Sequence, residues 1–160
     1  MVTVYSNQQE ARQDAARRGL REKVLCLVLR GKELLVCGHA GLPQAGTQLP
    51  AGGVEAGEQP VQAAVRELYE ESGLQLPAPR FLVSYRWEAR LPGRLTCQVC
   101  HAYAFTAPPG LPAAWSHPAD GHTFVYRWAS LDAPGLDWEM DAALPYLNSV
   151  PAPLQETAHD

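Results

Sequence analysis

Three glutamates within five residues, Glu67, Glu70 and Glu71, are the first place where this 160-residue chain could do chemistry. On a helix they fall on one arc, related by spacings of three, four and one. Like charges at the first two spacings each destabilise a helix by a few tenths of a kcal/mol. No Lys or Arg stands four residues after any of them, and the chain has no lysine beyond Lys32. A solvated acidic face is one explanation. A seat for a hard cation is the other, since Mg²⁺ or Mn²⁺ takes carboxylate oxygens and keeps positions open for water and phosphate.

The segment before the helix favours the cation. Pro50-Ala51-Gly52-Gly53 brings bare backbone toward the helix start, where a carbonyl can ligate a cation and amides can approach an anion. Glu58 and Arg66 are natural ion-pair partners that would pin this loop to the helix and orient Glu67. They could equally form a surface pair worth under about 1 kcal/mol. From Gly52 to Leu74 five glutamates face a single arginine, which accounts for the whole formal charge of -4 and leaves the rest of the chain neutral.

The elements that must position these groups follow from local signals. Pro60 pre-sets the first helical turn and Gly73 stands at a C-terminal cap, so a helix is predicted over Pro60–Ser72, with Val61, Ala64, Val65 and Leu68 facing the core. Val24–Arg30 and Glu33–His39 flank Gly31-Lys32, which fits a two-residue type II′ hairpin turn. That register places Cys26 opposite Cys37 in a hydrogen-bonded pair, both expected as buried, reduced thiols. Further strands are expected at Arg80–Glu88, Arg94–Phe105 and Thr123–Ala129, the last two separated by a Pro-rich loop, Thr106–Gly121. Asp137 is placed to cap a final helix over Trp138–Leu144. The division expected is a polar N-terminal helix or arm (1–22), one mixed-sheet α/β domain (23–148) and a disordered tail (149–160).

Composition excludes several classes. With 46% apolar and 19% charged residues, the chain reads as a compact soluble domain. No apolar run nears the roughly 20 residues of a membrane span, and the polar start argues against a signal peptide, so a cytoplasmic location without membrane contact is expected. An acidic chain lacking a basic stripe is a poor binder of duplex nucleic acid. Cys97 and Cys100 are spaced C-x-x-C, but within a strand they point to opposite faces and cannot grip one metal.

Residues Gly52–Leu74, GGVEAGEQPVQAAVRELYEESGL, resemble the Nudix box in full, with Gly52, Glu58, Arg66, Glu67, Leu68, Glu70, Glu71, Gly73 and Leu74 at its fixed positions. The resemblance implies a Nudix-type α/β/α sandwich around a mixed β-sheet. It also implies a metal-dependent pyrophosphohydrolase that cleaves the diphosphate linkage of a small nucleoside diphosphate derivative, such as a nucleotide sugar or nucleoside triphosphate, with Mg²⁺ or Mn²⁺. By the same resemblance Glu67, Glu70 and Glu71, with the main-chain carbonyl of Ala51, are metal ligands. Arg66 with Glu58 is the orienting pair, and Glu70 or Glu67 deprotonates water. A non-catalytic nucleotide-binding domain, acting as sensor or scaffold, is the rival.

The late loop where many relatives carry a further Glu offers Asp120 and His122, which either substitute for it or shape a turn. Arg90 stands where nucleotide-sugar hydrolases of the family carry proline, so no subfamily follows. Substrate contacts are expected from the strands after the box: Tyr85, Trp87 and Tyr103, with Phe105, to stack a base, and Arg86, Arg90 and Arg94 to hold phosphates or ribose. Alternation implies that about half of these face elsewhere. Arg12, Arg17, Arg18 and Arg21 read as a solvated helix face or subunit contact. The chain is expected to act as a monomer or homodimer.

Overall fold

The computed structural model describes residues 1–148, so the expected tail at 149–160 lies outside the described residues. Its centre is β2 (Arg21–Arg30), whose run Val24-Leu25-Cys26-Leu27-Val28 is buried on both faces. Such a continuous apolar run marks a strand covered on two sides. β2 lies parallel to β6 (Arg94–Thr106), in register from Arg21 opposite Gln98 to Leu29 opposite Thr106. Around this pair are β1 (Val2–Val4), β3 (Glu33–His39), β4 (Ala51–Gly53), β5 (Arg80–Leu91), β7 (Ala114–Ala119) and β8 (His122–Ser130). The mixed sheet runs β1-β5-β6-β2-β3-β8-β7, with β4 paired to β2 off that path.

Helices α1 (Gln8–Arg18) and α2 (Pro60–Ser72) cover one face. Under α2 lie Val24, Cys26, Val28, Tyr103, Phe105 and Tyr126, while Ala11 and Ala15 of α1 pack on Val99. The opposite face is covered by a short 3-10 segment, Met140–Tyr146, over Leu25, Leu27, Tyr85, Cys100 and Ala102. The expected α-helix over Trp138–Leu144 is thus replaced. Trp138 and Glu139 have positive φ, and the Asp137 carboxylate accepts from the Thr47 N–H at 2.8 Å instead of capping a helix.

The hairpin register is as expected only beside its turn, where Leu29 faces Leu34 and Arg30 faces Glu33 around Gly31 at φ +59°. Beyond that the strands part and the segment from Gln48 enters between them. Cys37 pairs with Gln48, and the Cys26 N–H donates to the Pro50 carbonyl, so the predicted Cys26–Cys37 pair does not form. Both thiols are free and buried. This wedge delivers β4 to the surface of α2.

Two other differences concern placement. On α2, Ala63 and Ala64 are buried while Val61 is exposed, because the helix is rotated slightly from the expected face. The Pro-rich stretch holds β7, an edge strand, where a proline such as Pro118 can stand without costing the sheet an interior hydrogen bond.

The end of α2 is tied to the sheet by side chains that satisfy last-turn carbonyls. Tyr126 Oη donates to the Glu71 carbonyl at 2.8 Å, and Trp115 Nε1 to the Ser72 carbonyl at 2.9 Å. Tyr126→Phe orphans one of these in the interior and is expected to lower stability by about 1 kcal/mol in urea unfolding. An unchanged midpoint would show that the carbonyl finds another donor.

Candidate active site

β4 runs against the side of α2, and the Glu67 carboxylate rests on Gly52. A Cβ at residue 52 would overlap the carboxyl carbon and both oxygens of Glu67, so glycine is required for that side chain to lie where it does. Partial burial raises the affinity of Glu67 for a proton, with Arg66 opposing and Glu70 and Asp120 adding to the effect.

Arg66 ties the loop to the helix. Its Nε and Nη2 donate to the two Glu58 oxygens at 2.8 and 2.9 Å, and Nη2 also reaches the Gly53 carbonyl at 2.8 Å. Nη1 donates to Glu67 at 2.9 Å and to Glu70 at 3.1 Å. The two-pronged contact with Arg66 holds the Glu58 carboxyl below its ordinary range. Glu58 also accepts the Glu55 N–H at 3.0 Å, which closes the loop.

Glu71 lies deeper. Burial pushes its carboxyl up to about 7, with Glu67 and Asp120 adding repulsion, while the Ala51 N–H at 3.3 Å and Lys23 oppose. Glu67, Glu71 and Asp120 form the acidic side of an open pocket of about 520 Å³, floored by Ala51, Gly52 and Gly53. Its other lining residues include Arg21, Lys23, His39 and His122, the two imidazoles stacked edge-on with centroids 5.3 Å apart. Glu70 is exposed on the outer side of the helix, beside His117 and Asp120. Among the described residues no three His, Cys, Asp or Glu side chains already converge as a metal cage.

Asp120 and Gly121, both at positive φ, form the two-residue turn between β7 and β8, with Ala119 facing His122. The turn-forming and pocket-lining readings of Asp120 therefore hold together.

A second cavity, of about 240 Å³, adjoins the first and shares Lys23 and Gln48 with it. Tyr85, Trp87, Arg94 and Trp138 are among its lining. Trp138 Nε1 is fixed on the Ala45 carbonyl at 2.8 Å, and Trp87 Nε1 on Glu139 at 3.1 Å. Two successive non-glycine residues at positive φ cost of order 1–3 kcal/mol each, so this wall is held in place by its surroundings.

The remaining candidates lie elsewhere. Arg86, one residue from Trp87 and so on the other face, sits 3.8 Å from Asp14 of α1. Tyr103 is buried on the helix-covered face, its hydroxyl accepting from Gln8 at 2.8 Å, and Arg90 is exposed and lines neither cavity. Of the basic cluster, Arg17 and Arg18 pair with Asp14 and Arg12 with Glu22, whereas Arg21 belongs to β2 and the pocket. Lys23, His39 and Trp138 were missed. The signal for Lys23 was its alternation with Arg21 along a strand; Trp138 left none.

An acidic helix laid over a glycine strand that pairs with the central strand of a mixed sheet covered on both faces defines the class: an α/β sandwich built around an open, carboxylate-lined pocket. The NUDIX domain matches residues 19–147, and the chain belongs to the Nudix family. An RNA pyrophosphohydrolase of Mesorhizobium japonicum is 31% identical over 126 residues, covering 64% of this chain and 70% of that protein. Another, of Bartonella clarridgeiae, is 48% identical over 46 residues, but the match spans only 27% of that protein's length and 28% of this chain. Among solved structures, a MutT NUDIX hydrolase from Burkholderia pseudomallei aligns with a TM-score of 0.62 at 21% identity, over 79% of this chain and 97% of that one. The E. coli dihydroneopterin triphosphate pyrophosphohydrolase aligns at 0.61 and 21%, over 79% and 93%. At that identity the likeness concerns the fold.

Proposed function

We propose that the protein is a metal-dependent pyrophosphohydrolase acting on the diphosphate linkage of a nucleoside diphosphate derivative. The observation that carries this is the two-sided pocket: Glu67, Glu71 and Asp120 stand with Arg21, Lys23, His39 and His122 around one space. Acid alone would repel a diphosphate, and base alone would bind it without a place for a cation.

The donor set fits a hard divalent cation, being carboxylate and main-chain oxygen without sulfur. Glu67, Glu70 and Glu71, with the Ala51 carbonyl, would hold Mg²⁺ or Mn²⁺. The chemistry such a cation would supply there is polarisation of the phosphoryl oxygens and a lowered pKa for an attacking water. Glu58 and Arg66 keep Glu67 in place. Lys23, common to both cavities, is placed to hold the phosphate between the reacting end and the nucleoside. Trp87 and Trp138 offer apolar rings to a base, with the buried Tyr85 behind them, and Arg94 a planar donor.

The curated relatives carry the name RNA pyrophosphohydrolase, so the 5′ end of a short single-stranded RNA belongs in the test beside nucleoside triphosphates and nucleotide sugars. The purified protein is incubated with this panel, and with inorganic pyrophosphate, in Mg²⁺ or Mn²⁺. Turnover of at least one base-bearing compound is expected, lost in EDTA and restored by the cation, with pyrophosphate hydrolysed at least about tenfold more slowly. Tight nucleotide binding without turnover would overturn the catalytic reading in favour of a sensor or scaffold. Turnover undiminished in EDTA would overturn the cation.

A further inference from the structure

Beneath α1 runs a line of polar groups that the chemistry proposed above does not use. Ser84 and His101 are 2% and 0% exposed. Burial pushes the His101 ring below its ordinary pKa, with Glu22 opposing. Its Nε2 lies 2.8 Å from Glu22 Oε1, where an ionised carboxylate accepts and the ring nitrogen donates, and its Nδ1 is bonded to Ser84 Oγ at 2.7 Å. The same carboxylate receives Arg12 Nε at 2.9 Å and Nη2 at 3.4 Å. Arg12 then reaches the loop before α2, with Nη2 3.4 Å from the Glu58 carbonyl and Nη1 3.3 Å from Gln59 Oε1.

The order Ser–His–Glu invites comparison with a nucleophilic relay. Neither Ser84 nor His101 is open to solvent, so no substrate atom can reach the hydroxyl, and the line ends on a structural carbonyl. It is a positioning device.

What it positions is specific. Residues 55–57 are exposed, and Gly57 has φ +79°, so this loop has little packing to define it. From inside, Arg66 holds the Glu58 carboxylate. From outside, Arg12 holds the Glu58 carbonyl and the next side chain, and the Val54 N–H donates to the Glu22 carbonyl at 3.0 Å. The base of this clamp is firm, because Ala11 and Ala15 are buried on Val99 and Gln8 is bonded to Tyr103. Since Arg66 carries Glu67 and Glu70 on its third nitrogen, displacement of Glu58 displaces the carboxylates.

We infer that Arg12, anchored by Glu22, His101 and Ser84, is a positioning residue that fixes the Glu58 loop and thereby sets the affinity of Glu67 and Glu70 for a divalent cation. The inference rests on the cation reading above.

Charge alone predicts the opposite result, which makes the test sharp. Removing a nearby cation should tighten Mn²⁺ binding by weakening repulsion; removing a positioning contact should loosen it. Full-length wild type, Arg12→Ala and Arg12→Lys are titrated with Mn²⁺ in the absence of substrate by calorimetry, and amide exchange is followed over residues 54–59. Arg12→Ala is expected to bind Mn²⁺ about tenfold more weakly, with faster exchange in the loop. Arg12→Lys, which keeps the charge and loses the fork, is expected to fall between it and wild type. Mn²⁺ binding by Arg12→Ala as tight as or tighter than wild type overturns the inference while the cation reading stands. A wild-type protein that binds no Mn²⁺ overturns that reading, and this inference with it.

Discussion

Gly52→Ala is expected to lower the hydrolytic rate by about 100-fold or more while leaving the fold nearly as stable as before. The new Cβ would overlap the Glu67 carboxylate, and the obstructed atoms are the far end of a flexible side chain. Backbone conformation gives no reason for strain, since Gly52 is not among the residues at positive φ. The polypeptide therefore escapes the clash by swinging Glu67 aside. Fold stability changes little; the carboxylate next to the glycine strand is lost from its place. Glu67→Gln is the partner experiment, because it keeps shape and removes charge. If both variants lose rate to a similar extent and melt near wild type, Gly52 acts through Glu67. A Gly52→Ala protein with full rate would show that Glu67 need not lie where it does. A Gly52→Ala protein that fails to fold would make the glycine a packing requirement.

The parts of this site that could be read in the sequence are those fixed by local spacing. The arc of Glu67, Glu70 and Glu71, the Glu58–Arg66 pair and the ends of α2 depend on a helical repeat and on Pro60 and Gly73, all within one short segment. The mixed sheet was legible from the β-rich runs. Features set by distant chain were not. The Cys26–Cys37 register follows from the turn alone if the hairpin stays closed, yet residues from Gln48 onward enter between the strands, and nothing in the hairpin encodes that. Alternation says that Arg86 and Trp87 point to opposite faces, but the phase is decided by α1, whose Asp14 lies beside Arg86. β1 is three residues long, too short to show a period, and is defined by pairing with β5. Trp138 reaches its cavity through a positive φ that no propensity favours for tryptophan.

In the absence of divalent cations the protein is expected to lose stability as pH rises from about 5 to about 8, and the loss is expected to come from Glu71. Its carboxyl is raised from an ordinary 4.5 to about 7, mainly by burial. Between those values the folded chain holds a proton that the unfolded chain has released. Stability therefore falls as pH climbs through this window, by an amount on the order of 3 kcal/mol if the shift is fully expressed. Glu58 works at the other end. Its depressed pKa contributes stability that is present above its ordinary value and disappears as pH falls below it. His101, whose ring is held by burial below the ordinary 6.5, opposes Glu71 by losing stability as pH falls through that range. The Glu71 contribution is therefore read as the difference between wild type and a variant that cannot ionise there. Urea unfolding in EDTA at pH 5 and pH 8 measures the slope, and Glu71→Gln, which cannot ionise, should flatten it. Equal slopes in the two proteins would mean that the Glu71 proton is not the cause. On the cation reading proposed above, a cation held at Glu71 would take the place of that proton, so Mg²⁺ or Mn²⁺ should stabilise the wild type more at pH 8 than at pH 5. Ionised Glu71 would then cost the metal-free protein stability at the same pH at which its carboxylate is available to a cation.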